Sequence, residues 1–151
     1  MSETNIEKRM EAALIAGQHT LESLRIAQNK LEDIRSWEVR ERFGKNLFAS
    51  MIKNMKISDI QEYLIQAKSD VLKFQIILKS ICMLEEVKNV TRIFISFANF
   101  FLDGTIEEYL VKSKVDSVRE QIEDAVDSVE KVCIELEKWC TVHRYVRNNG
   151  E

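Results

Sequence analysis

The sequence predicts an all-α protein: an elongated antiparallel bundle of four to five helices with coiled-coil-like packing. Three observations carry this. Proline is absent from all 151 residues, and glycine occurs only at Gly17, Gly44, Gly104 and Gly150. Proline breaks helix interiors and glycine weakens them by roughly 1 kcal/mol relative to alanine, so little forces a helix to stop. Apolar residues recur at steps of three and four, the period of one helix face. Capping-box pairs punctuate the chain at Thr4 with Glu7, Ser58 with Gln61 and Thr105 with Glu108. The length suits a single domain over 1–151, with helices expected at about 5–35, 37–55, 59–88, 91–102 and 106–145.

The first helix is marked by Met10, Leu14, Gly17, Leu21, Leu24, Leu31 and Ile34 on one stripe, interrupted by Gln28. Ala13 and Gly17, one turn apart, are small enough for another helix to approach closely. Ser36 offers a cap for a second helix, whose stripe is Phe43, Leu47, Met51 and Met55 with Phe48 and Ile52 beside it. The third carries a wide apolar face from Ile60 through Leu64, Val71, Phe74 and Leu78 to Leu84, as a core helix of a bundle does. Asn89 or Thr91 offers a weaker cap for the fourth. Its run IFISFANFFL, 93–102, is too short to span a bilayer as a helix. Its β-branched and aromatic content also suits a strand, but no partner strand is visible, so a helix with Phe94, Phe97 and Phe101 on one face is the reading. Asp103-Gly104 is a turn signal. In the last helix Val115, Val118, Ile122, Ala125, Val129, Val132, Leu136, Trp139 and His143 alternate steps of three and four, a heptad seam. This helix is expected to be the longest, overhanging the others and leaving Leu136, Trp139 and Cys140 uncovered within one chain.

Composition excludes more than it assigns. A net charge of −3 disfavours nucleic-acid binding, which relies on basic surface to neutralise phosphates. The N-terminal MSETNIEKRMEA has no apolar stretch and does not read as a secretory signal. Three cysteines, an odd number, read as reduced thiols of a cytoplasmic protein. The acidic last helix is expected to pack beside the more basic first half of the chain. Glycine-rich phosphate loops are absent. The Glu-x-x-His pairs of di-iron bundles are absent too, since Ala16 and Cys140 precede His19 and His143 by three residues.

Cys133, Cys140 and His143 fall on adjoining helix faces and are the weak candidates for a metal. They would need Cys82 or a second chain as fourth ligand, and the alternative is small buried thiols flanking the seam. Cys140 and His143 are also the only thiol–imidazole pair at one turn's spacing, without a visible third group for catalysis. No cofactor is expected.

Two segments suit contact with a partner. Residues 37–56 are basic and amphipathic, with Phe43, Leu47 and Ile52 at anchor spacing for a groove or a membrane surface. The 93–102 segment is either core or covered by a partner. The expected function is a non-catalytic, self-associating cytoplasmic interaction protein. Its expected contacts are Phe94, Phe97, Phe101, Leu136, Trp139, Phe43, Leu47 and Ile52, and its expected state is a homodimer. A membrane-surface protein using 37–56 or 93–102 is the alternative, and an enzyme or metal protein using Cys140 and His143 the third.

Overall fold

Scarcity of helix breakers translates into helix length. The computed structural model describes residues 3–43, 47–81, 87–111 and 114–149. Among them are five helices and no strand: α1 (Glu3–Phe43), α2 (Leu47–Lys79), α3 (Lys88–Phe101), α4 (Thr105–Val111) and α5 (Val115–Asn149).

The boundaries differ from the expected ones for physical reasons. α1 runs through Ser36 and α2 runs through Ser58. A serine only offers a cap, and each further helical residue gains a hydrogen bond once the helix exists. The expected helices 5–35 and 37–55 are therefore replaced by one long α1, and the residues from Leu47 onward belong to α2. The start expected at Asp59 is not a start. α2 ends at Lys79 rather than near 88, where the Ser80 and Ile81 amides donate to the Ile77 and Leu78 carbonyls at 3.1 and 3.0 Å, closing the last turn tightly. The expected last helix, 106–145, is two helices. Leu110 and Val115 are both buried, but the step of five between them falls out of helical phase. α1, with 41 residues, is longer than α5 with 35, so the last helix is not the longest.

The 93–102 segment is helical, inside α3. Neither Asn89 nor Thr91 caps it: Val87 precedes the helix, and Thr91 is buried with its amide donating to the Val87 carbonyl at 3.0 Å. Asp103-Gly104 makes the turn into α4. Gly104 has φ of 94°, which side-chain-bearing residues rarely adopt. The cap of α4 is Asp103 rather than the expected Thr105–Glu108 box. Its carboxylate accepts the Thr105 hydroxyl at 2.5 Å and the Thr105 amide at 2.9 Å, and the Glu108 amide donates to the Gly104 carbonyl instead. These two bonds, the hydroxyl first, hold the Asp103 carboxyl below its usual range.

Side-chain bonds between helices set the arrangement. α1 packs on α2 and α5, α3 packs on α2 and α5, and α4 lies on α5. Thr20 and Ser23 of α1 meet Asp70 of α2, and farther along α1 Lys30 lies over the Tyr63 ring of α2. The two helices are therefore antiparallel. Gln75 of α2 bonds Asn99 of α3 at 2.8 Å, and Lys68 bonds Glu107 of α4 at 2.7 Å. As the chain advances through α3 and α4 its partners retreat along α2, so the pair acts as a fourth, broken strut. α5 returns along α1 through Glu32–Arg119, Arg25–Glu130, Glu11–Arg144 and Glu7–Arg147. α5 thus lies beside α1 as expected, although three of these four pairs put the acid on α1 and the base on α5. Register follows local pairs, and the excess acids of α5 face solvent.

One cluster of buried side chains fills the interior, from Met10 and Leu24 through Phe74 and Phe94 to Val118, Ile122 and Leu136. The three helices approach closely at Gly17. A Cβ there would lie 2.6 Å from Cys133 Sγ of α5 and 2.8 Å from Phe74 Cζ of α2. The close approach expected at Ala13 and Gly17 is thus present. Gly17→Ala gains roughly 1 kcal/mol of helix propensity, but overpacking a filled core costs about 1–3 kcal/mol. The expected result is a net loss near 1 kcal/mol, read as a lower urea midpoint. A gain in stability would show that the three helices can part there.

Candidate interaction surface

The expected contact residues are distributed differently from the expectation. Phe94 and Phe101 are fully buried in their own chain, and Phe97 is half-buried. The rings of Phe74 and Phe94 lie 5.0 Å apart, and those of Phe97 and Phe101 5.9 Å apart. Phe94 and Phe101 are core side chains because α3 turns that face inward against α2 and α5. Leu136, Trp139 and Cys140 are buried as well, at 0%, 8% and 3% exposure. The overhang expected to leave them bare is covered by the first turns of α1, which follow α5 to Arg147. The side chains of Phe43, Leu47 and Ile52 lie outside the described residues, as do Cys82 and Leu84.

The thiols are packed, not clustered. Cys133 sits against Gly17, and burial, reinforced by Glu130 and Glu137, pushes its thiol from 9.0 to about 11. Burial raises Cys140 too. The His143 ring stacks on Trp139 with centroids 3.6 Å apart, and its Nδ1 donates to the Trp139 carbonyl at 2.9 Å. Among the described residues no three His, Cys, Asp or Glu side chains converge as a metal site would require. A thiol whose folded pKa is raised stabilises fully below the unfolded value near 9 and loses that contribution as pH rises through about 11. Unfolding free energy is therefore expected to fall between these pH values, and to fall less in Cys133→Ala. Identical alkaline slopes for the two proteins would contradict the burial of this thiol.

A polar cluster that sequence reasoning missed joins α1 to α2. The Asp70 carboxylate, 4% exposed, accepts from Ser23 Oγ, and both of its oxygens accept from Gln66 Nε2 at 3.3 Å. Thr20 Oγ1 reaches the Asp70 carbonyl at 3.1 Å, and His19 Nε2 stands 3.9 Å from Asp70 Oδ1. Serine, histidine and aspartate are present, but not in the order of a nucleophilic relay, which places the imidazole between the other two. Here the Ser23 hydroxyl donates its hydrogen bond to Asp70 directly. The cluster satisfies a buried carboxylate and fixes the register of two helices.

Several apolar side chains remain on the outside. On α2, Ile65, Leu72 and Ile76 are 65%, 46% and 59% exposed. Their steps of seven and four keep them within a stripe roughly 40° wide. The neighbouring stripe of the same helix, Leu64, Val71 and Leu78, is fully buried. α2 thus has two apolar stripes, and the bundle covers one.

Compared with protein-family models, curated proteins and solved structures, the chain matches none.

Other exposed apolar residues lie on α1, α3 and α5. Ile15 and Ile26 on α1 stand eleven residues apart, and Ile93 and Phe100 share one phase of α3. Ile134, Val142, Tyr145 and Val146 lie towards the end of α5. Among the described residues no helix is long and apolar enough to cross a membrane.

The missed stripe had a signal in the sequence. Ile65, Leu72 and Ile76 share helical phase with one another, but they stand beside a stronger stripe that accounted for the core by itself.

Proposed function

We propose that this chain is a non-catalytic helical-bundle protein that works through protein contacts and associates with itself. The observation that carries the reading is the uncovered α2 stripe of Ile65, Leu72 and Ile76. Fully burying one such side chain is worth about 1.5–3 kcal/mol, and roughly half of that is still to be gained where half of the side chain is wet. Three buried polar residues support the same reading: Asp70, Thr20 and Gln75 are engaged in bonds between helices. The heptad spacing of the α5 seam suits coiled-coil-like packing. Two buried thiols outside any disulfide, Cys133 and Cys140, suit a reducing compartment, and the cytoplasm is our reading.

Sedimentation equilibrium across the micromolar range tests self-association. The expected result is a mass rising from 17.7 kDa towards twice that value. A mass that stays at the monomer value throughout would refute the reading.

A further inference from the structure

We propose that two copies pair α2 against α2 in antiparallel fashion, about a two-fold axis beside Ser69. This rests on the self-association reading above and adds its geometry. The α2 stripe is self-complementary in two respects. First, its apolar residues interdigitate under that symmetry. With the axis beside Ser69, Ile65 of one copy falls between Leu72 and Ile76 of the other, since the helix rises 1.5 Å per residue. Leu72 falls between Ile65 and Ser69 of the other copy. Ser69, small and half-buried, lies on the axis, where the two backbones come closest.

Second, the charges match. In an antiparallel two-fold pair, each flank of the stripe meets the same flank of the other copy. The solvent flank carries Glu62 and Lys73, both exposed. The same axis sets Glu62 of one copy within about one turn of Lys73 of the other, and the symmetry makes the pair twice. On the opposite flank Lys68 approaches its own copy. Its ammonium is already neutralised within the chain by Glu107 at 2.5 Å, and it is only 14% exposed. The α3 strip of Ile93 and Phe100 shares one phase too, but that helix holds no acid with which to make such a pair. The exposed isoleucines of α1, Ile15 and Ile26, are three turns apart and form no continuous strip.

Charge reversal tests the geometry apart from the association itself. Glu62→Lys and Lys73→Glu each put two like-charge pairs in the interface. Each is expected to weaken the dimer about tenfold in sedimentation equilibrium at low salt. The double variant Glu62→Lys/Lys73→Glu restores both pairs and is expected to return to the parent affinity. Leu72→Glu is expected to leave a monomer with unchanged helical circular dichroism, since Leu72 is already half exposed. A dimer that survives Leu72→Glu, or one whose charge double variant is no tighter than the single variants, overturns the α2 pairing while leaving self-association standing. A parent protein that is monomeric at every concentration overturns both.

Discussion

Ile122→Asp is expected to unfold the bundle or to open it along α5. Ile122 is fully buried at the middle of a seam that runs from Val118 through Ala125 and Val129. An aspartate there has apolar neighbours on its own helix one turn away in both directions. It would take up a proton rather than stay charged, and an unpaired buried polar group still costs about 2–7 kcal/mol. Whole domains are stable by about 5–15 kcal/mol, so one substitution removes a large share. Melting is expected to fall by about 10 °C or more at neutral pH. The deficit should shrink towards acid pH, where the unfolded chain's carboxyl is protonated too. A melting point within a few degrees of the parent would mean that α5 does not bury this face.

The second large effect is Phe74→Ala. Phe74 is fully buried, touches the Phe94 ring and fills the space opposite Gly17. Truncating a buried phenylalanine costs about 3–5 kcal/mol, because transfer energy is lost and a cavity remains. The two sites are coupled. With the ring gone, a methyl at Gly17 no longer meets Phe74 Cζ, and Cys133 Sγ gains room to move aside. Gly17→Ala is therefore expected to cost less in the Phe74→Ala background, or to stabilise it. Urea unfolding of the four proteins forms a double-mutant cycle. Additivity within about 0.5 kcal/mol would show that the α1–α2–α5 junction is not tightly packed.

The class of the fold was legible because it depends on periodicity, and the spacing of Met10, Leu24 and Leu31 or of Val118, Ile122 and Leu136 needs no tertiary information. Boundaries were less legible. Ser36 and Ser58 are good caps in isolation, but a cap is used only where the helix ends for another reason, and nothing ends α1 or α2 there. The break at Asp103-Gly104 was readable since positive φ at glycine and an aspartate acceptor are local matters. The interaction surface was the least legible part. Large aromatics such as Phe94 and Phe101 look adhesive in sequence, yet size makes them valuable in the core. Ile65, Leu72 and Ile76 are the same residue types as the core, and only the placement of the neighbouring helices leaves them exposed. The Asp70 cluster was hidden for a similar reason: its members lie about fifty positions apart and meet only when α1 and α2 align.

The closure of α1 by α5 has a consequence for how the protein is made. Glu7 and Arg147 are separated by 140 positions, and a ribosome adds about 5–20 residues per second. The first helix therefore emerges roughly 7–28 s before the partner that covers its second face. During that interval α2 can dock on one side, held by Thr20, Ser23 and Asp70, while the side that α5 later covers, with Leu14 on it, stays open to any apolar surface it meets. A nascent chain released before α5 would thus be a sticky half-bundle, and holdase chaperones that shield apolar helices would act on this protein late in synthesis rather than early.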